Sequence, residues 1–177
     1  ARTGSTPADR LIIVEDQPAA QPATGTLLRV QNFAYGTDWD LYMGPTTTSV
    51  ADTNAATTAY QPADVGTLVA SGANANVETV RLNYTARTAG TFNARLTQAG
   101  TLNKFGTGVR VTPPAGLAET ADFEAAGGTN VAGSVLTAWV FGAKTQAPPS
   151  PNSGLAGMNR PFVLFTVDRS PARTTAP

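Results

Sequence analysis

The chain has 177 residues, equal numbers of basic and acidic side chains (Lys+Arg 12, Asp+Glu 12), and neither histidine nor cysteine. Its length suits one domain with a hydrophobic core, and zero net charge argues against a general nucleic-acid binder. The absence of cysteine excludes disulfide scaffolds, thiolate zinc sites and cysteine nucleophiles, and the absence of histidine excludes histidine-based catalytic triads.

Short strand patterns recur along the chain, with turn residues between them. In residues 38–43, alternation points Trp39 inward and Asp38 and Asp40 outward. This explains the Asp-Trp-Asp sequence better than a calcium or sugar site, because no calcium-loop motif surrounds it. Nine segments are predicted as strands: residues 10–16, 26–33, 38–43, 67–71, 80–87, 92–98, 106–112, 132–144 and 161–168.

Residues 80–98 carry the clearest alternation. Two alternating runs joined by a short turn containing Gly90 predict an antiparallel hairpin. Its apolar face is expected to bury Val80, Leu82, Tyr84, Phe92, Ala94 and Leu96. The opposite face carries Arg81, Arg87 and Arg95, which we expect to be solvated or to contact another subunit.

Two long connections interrupt the strand pattern. Residues 44–66 are small and polar, so they are expected to form a surface loop. Residues 115–126, between Pro114 and Gly127-Gly128, are predicted to form a short helix. This segment holds an acidic cluster, which the helix dipole explains better than a pair of glycosidase carboxylates: Glu119, Asp122 and Glu124.

The late strands 132–144 and 161–168 are apolar on both faces. Such a pattern indicates a central strand covered on both sides, or a face turned toward another subunit. With no alternating strand–helix units, the chain is predicted to be all-β. The long connections favour a single jelly-roll sandwich of about eight strands with one short helix.

Three parts of the chain are distinguished. Residues 10–168 are expected to form one β-sandwich domain. Residues 1–9 and 169–177 are predicted to be arms, because they contain no apolar side chain larger than proline. We expect these arms to run along neighbouring subunits.

A small, cysteine-free, loop-rich sandwich with extended arms resembles a viral coat protein. It is similar in plan to the smaller of the two single-jelly-roll major capsid proteins of tailless, membrane-containing icosahedral phages of thermophilic bacteria. The resemblance rests on the strand series 26–33, 80–87, 92–98, 132–144 and 161–168 and on the two arms. It implies a virion location, copies of itself and a second capsid protein as partners, and an internal membrane beneath the shell.

The sequence therefore predicts a structural subunit with no enzymatic activity and with no catalytic, cofactor-binding or metal-binding residues. Direct binding to nucleic acid is not expected. A capsid decoration or tail-tube protein is an alternative. So is a carbohydrate-binding or adhesion module, which would need Tyr35, Trp39 and Tyr42 exposed together. Six arginines are predicted as subunit contacts: Arg2, Arg81, Arg87, Arg95, Arg169 and Arg173.

Overall fold

The computed structural model of the protein describes residues 18–34, 38–46, 58–71, 83–141 and 161–174. These residues form eight strands and one short helix, α1 (Pro62–Val65). The strands are β1 (Thr26–Phe33), β2 (Trp39–Gly44), β3 (Thr67–Ser71), β4 (Thr85–Arg87), β5 (Asn93–Gln98), β6 (Lys104–Val111), β7 (Val135–Phe141) and β8 (Phe162–Arg169). The predicted all-β class is confirmed. The predicted strand at residues 10–16 lies outside the described residues.

The strands form two four-stranded sheets. Sheet A has the order β4-β1-β7-β8, and sheet B has the order β3-β2-β5-β6. Strands β1 and β7 pair in parallel from Leu27–Val135 to Phe33–Phe141, and the other pairs of neighbours are antiparallel. This parallel pair departs from a jelly roll, which is built from antiparallel strands.

A single core lies between the two sheets. Alternate residues of each strand point into it, as a half-buried sheet requires. Trp39 is 1% exposed and its Nε1 donates a hydrogen bond to Asn32 Oδ1 at 3.0 Å, so the inward position predicted for this residue is confirmed. The central members of the core are Leu28, Val30, Leu136, Ala138 and Val140 from sheet A, and Trp39, Leu41, Met43, Ala94 and Leu96 from sheet B.

The predicted hairpin at 80–98 is wrong. Strand β4 pairs with β1 in sheet A, whereas β5 pairs with β2 and β6 in sheet B. Residues 88–92 cross between the sheets, and Gly90 N donates to Thr129 O at 2.7 Å on the way. Of the side chains expected inside, Ala94 and Leu96 are buried. Tyr84 and Phe92 are half-buried, and Val80 and Leu82 lie outside the described residues.

The predicted helix at 115–126 is also wrong, because the segment forms an irregular two-armed loop. Leu117 and Ala126 exchange backbone hydrogen bonds of 2.9 and 3.0 Å across the loop, so these groups bond across it instead of along a helix. Gly116 has a left-handed φ of 81°, and a Cβ on Gly128 would lie 2.2 Å from Gly116 N. The two sides of this loop therefore lie too close together at Gly116 and Gly128 for a residue larger than glycine.

Truncation of a core leucine tests this arrangement. Leu96 is fully buried between the sheets, so Leu96→Ala should lower the free energy of unfolding by about 2–5 kcal/mol. Leu68→Ala, on the 48% exposed Leu68 of β3, is the matched control and should change it by no more than about 0.5 kcal/mol. Equal effects of both variants in urea denaturation would contradict the position of the core.

Candidate functional site

The outer face of sheet A, which points away from the core, carries a buried ion pair at one end. Arg29 of β1 is 2% exposed, and its Nε donates to Thr137 Oγ1 of β7 at 2.8 Å. Its Nη2 lies 3.8 Å from Asp168 Oδ2 of β8. The pair therefore connects three strands of the sheet through their side chains.

Tyr84, just before β4, completes this polar group. Its hydroxyl donates to Asp168 Oδ2 at 2.9 Å, and its ring centroid lies 4.7 Å from the Arg29 guanidinium carbon. Burial, then the hydrogen bond and negative charge of Asp168, raise the pKa of Tyr84 to about 12. The tyrosine therefore remains a neutral donor over the physiological range.

The oxygens of Asp168 are occupied by neighbouring side chains. Oδ2 accepts hydrogen bonds from Tyr84 and Thr137, and Oδ1 accepts one from Thr166 at 3.3 Å. A general base needs an oxygen within reach of a substrate proton. These contacts make the group a structural network that joins strands, not an open catalytic site.

The other end of this face carries an aromatic stripe, defined here as Phe33, Trp139, Phe141 and Phe162. Ring centroids are 5.9 Å apart for Phe33–Trp139, 5.7 Å for Phe33–Phe141 and 5.3 Å for Phe141–Phe162, with interplanar angles of 19–26°. Phe162 is 39% exposed and the other three are half-buried. Leu164 of β8 extends the apolar surface and is 52% exposed.

The ring geometry decides what the stripe offers to a partner. Rings that are nearly parallel at these centroid distances stack with an offset. Phe141 has Phe33 on one side and Phe162 on the other, so its two faces meet neighbouring rings. Its edge is therefore the part available to a partner. A sugar, which stacks on an open ring face, is less well matched than an apolar protein surface.

The outer face of sheet B is covered. Tyr60, which precedes α1, and Val65, the last residue of α1, are buried against it. Asp40 points away from the core between the sheets, as predicted, but it is only 4% exposed because this face is covered. Asp40 Oδ2 accepts a hydrogen bond from Gly100 N at 2.8 Å. Lys104 is also buried, and its Nζ lies 5.9 Å from the Tyr60 ring centroid.

The predicted arginine face is not present. Arg95 is fully buried on β5, its Nη1 donates to Pro45 O at 3.3 Å, and it stacks at 5.9 Å on Tyr60. This placement removes it as a surface contact. Arg87 is half-buried on β4 of the other sheet and lines a surface cavity. Arg2 and Arg81 lie outside the described residues.

The last described residues pack on their own chain. Arg169 ends β8 and is exposed, whereas Arg173 lies 3.9 Å from Glu119 and 4.0 Å from Glu124. Glu119 also accepts hydrogen bonds from Thr174. Ser170 Oγ accepts a hydrogen bond from Gly127 N at 2.9 Å. Through residue 174, the expected C-terminal arm is therefore placed by contacts within the chain, and the acidic cluster helps to hold it.

Comparison of the chain with protein-family models, curated proteins and solved structures finds no match. Within the described ranges, no group of three or more side chains of the kinds that bind metals is assembled. The one helix in these ranges, α1, is too short to cross a membrane.

Removing one partner tests the buried ion pair. Asp168→Asn removes the carboxylate charge that faces the buried Arg29 guanidinium, so the free energy of unfolding should fall by about 3–5 kcal/mol. Arg173→Gln breaks a more exposed ion pair near the same end of the chain and should cost less than about 1 kcal/mol. Equal losses in the free energy of unfolding of the two variants, measured by chemical denaturation, would contradict a larger contribution from the buried pair.

A second prediction concerns alkaline pH. The pKa of Tyr84 rises from 10.0 to about 12 on folding, so between these values the folded chain keeps a proton that the unfolded chain releases. This contribution to stability is fully present below pH 10 and is lost as the pH rises through 12. Tyr84→Phe should flatten the fall in stability across this window, measured by urea denaturation at successive pH values. An unchanged slope would contradict the assignment.

Proposed function

We propose that the protein is a structural subunit of a viral coat, and that the aromatic stripe is one of its assembly surfaces. The observation that carries the proposal is the stripe itself, an exposed apolar surface on a sheet face. Contiguous apolar surface of this kind is costly to leave in water and marks sites of interaction.

The composition of the stripe suits a protein partner. Phenylalanine and tryptophan are enriched in the buried centres of interfaces, whereas Lys and Glu are depleted there. Phe162 and Leu164 lie on β8, which is an edge strand in the described order of sheet A. A partner can therefore approach the stripe from the side as well as from above.

The neighbouring polar network explains why the stripe has a sharp boundary. Arg29, Thr137, Thr166 and Asp168 satisfy one another within the subunit and offer no free charge to a partner. Trp139 lies at the boundary, and its Nε1 donates to Thr166 Oγ1 at 2.9 Å. The ring is thus fixed in orientation and contributes its apolar surface to the stripe.

The narrower proposal of a shell subunit comes from the resemblance to single-jelly-roll capsid proteins. In that role the chain would lie in the virion beside copies of itself and a second capsid protein, over an internal membrane. Such a subunit has no catalytic role and needs no cofactor. The parallel β1–β7 pair requires that the coat be built from a variant of the jelly-roll sandwich.

Two alternatives make different predictions. A decoration or tail-tube protein would use the same stripe but form a layer or a tube instead of a closed shell. The carbohydrate-binding alternative loses the platform first considered for it, because Trp39 is buried in the core. A carbohydrate site would have to use Trp139, whose ring stacks on the ring of Phe33.

Polar substitutions in the stripe test the proposed function. Phe162→Ser with Leu164→Ser should lower association of the full chain at least about tenfold, because apolar area is no longer removed from water. Leu68→Ser, on a similarly exposed leucine of sheet B, is the control and should assemble normally.

Light scattering and electron microscopy measure the outcome. Closed shells support the coat, while layers or tubes support the alternatives. Wild-type assembly by the stripe variant would contradict the proposed surface. Loss of oligosaccharide binding in Trp139→Ala, in a chain that stays monomeric, would favour the carbohydrate module.

A further inference from the structure

A surface cavity of about 490 Å³ opens beside the edge strand β4 of sheet A. Its lining combines one cation with small side chains and hydroxyl groups. The lining residues are Thr24, Gly25, Ala86, Arg87, Thr88 and Ala89. None of these residues belongs to the polar network around Asp168 or to the aromatic stripe.

Arg87 is the unusual group in this cavity. Its Nε is buried without a hydrogen-bond partner, and the guanidinium lies 5.6 Å from the Phe92 ring centroid. Burial lowers the pKa of Arg87. Among the described residues, no carboxylate forms an ion pair with it. A buried donor left unpaired costs free energy, and a planar guanidinium matches a carboxylate with two parallel hydrogen bonds. The cavity is therefore suited to a carboxylate.

The loop 117–126 presents a matching carboxylate. Its tip is held by Thr120, whose N donates to Phe123 O at 3.0 Å and whose Oγ1 accepts from Phe123 N at 3.1 Å. Phe123 is 74% exposed. Beside it, Asp122 is exposed and forms no ion pair with the described residues. The two glutamates of the cluster are instead engaged by Arg173 and Thr174.

We propose that Asp122 and Phe123 at this tip insert into the Arg87 cavity of a second copy of the chain. The Asp122 carboxylate pairs with the guanidinium, and the Phe123 ring packs on Ala86 and Ala89. This inference rests on the proposed function, since it names a contact between coat subunits. Tip and cavity are different surfaces, so the contact is heterologous and joins copies head to tail into a ring or a chain.

A second copy fits the cavity better than a nucleic-acid phosphate. Arg87 is the one cation in the cavity lining, whereas phosphate backbones are bound by several cations together. The tip, in contrast, offers a carboxylate and an apolar ring side by side. The same contact gives the Arg87 guanidinium a counter-charge and covers the exposed Phe123 ring.

Complementary charge variants test the contact in the full chain. Arg87→Glu reverses the charge of the cavity and leaves the tip unchanged, whereas Asp122→Arg reverses the charge of the tip and leaves the cavity unchanged. Each variant alone should associate at least about tenfold more weakly than wild type. An equal mixture should associate again, because Asp122 of the first variant meets Arg87 of the second. Arg110→Glu changes an exposed cation of β6 and is the matched control, which should associate as wild type.

A peptide assay separates this contact from the coat proposal. A cyclic peptide of residues 117–126, added to full-length chain carrying Phe162→Ser and Leu164→Ser, should shift the amide NMR signals of residues 24–25 and 86–89. The peptide with Asp122→Asn, which leaves the folding of the chain untouched, should bind at least about tenfold more weakly.

The outcomes distinguish the two proposals. No shift at these residues, equal binding of both peptides, or shifts with phosphate or acetate but not the peptide would overturn the contact. So would wild-type association by both single charge variants, which leaves the coat proposal standing. Selective peptide binding, together with a wild-type chain that forms no shell, layer or tube, supports the contact and overturns the coat.

Discussion

A nearly inaccessible guanidinium must find its counter-charge inside the protein, and Arg29 finds it at Asp168. This requirement ties the first described strand to the last through β7, whose Thr137 accepts a hydrogen bond from Arg29. Moving β1 by one residue would turn Arg29 into the core and Leu28 out of it. The register of sheet A is thus specified by charge on one face and by apolar packing on the other.

The two ends of this sheet face differ in what they leave for other molecules. Around Asp168, the polar groups form hydrogen bonds within the chain, so another molecule gains little by binding there. The stripe around Phe141 is satisfied only in part, because its rings stack on one another and still expose their edges. Together with the Arg87 cavity, the stripe would give the proposed coat subunit two separate contact regions. One heterologous contact produces a ring or a chain, and a second is needed to join these into a surface.

The sequence reveals the strands of this protein better than their partners. The strand pattern located Thr26–Phe33 and Thr67–Ser71 with the bounds seen in the structure, because strand-forming composition and side-chain direction are local properties. It assigned residues 85–87 and 93–98 to one hairpin, because nothing local reveals that a five-residue link crosses between sheets. The parallel pairing of β1 with β7 has no local signal either, since Arg29 and Thr137 are 108 residues apart.

Predictions about surfaces were limited by the same kind of missing information. Alternation shows that Arg95 and Asp40 point away from the core, but only the folded chain shows that Tyr60 and Val65 cover that face. The apolar character of both faces of β7 did indicate a central strand, and its outer face carries Trp139 and Phe141 of the aromatic stripe. The sequence showed an arginine in the predicted strand that contains Arg87, but it could not show the cavity. The residues that line the cavity come from two distant parts of the chain.

The parallel β1–β7 pair also sets the order in which the two sheets can form during synthesis. The described strands of sheet B all lie before residue 112, so this sheet can close from neighbouring segments. Strand β1 is made earlier still, yet its central neighbour β7 begins at Val135. Until the ribosome has released that region, β1 has only the three-residue β4 beside it. Long-range closure of this kind is entropically slow. The half of the sandwich that bears the stripe is therefore the last to form, so its four rings come together only when the chain is nearly complete.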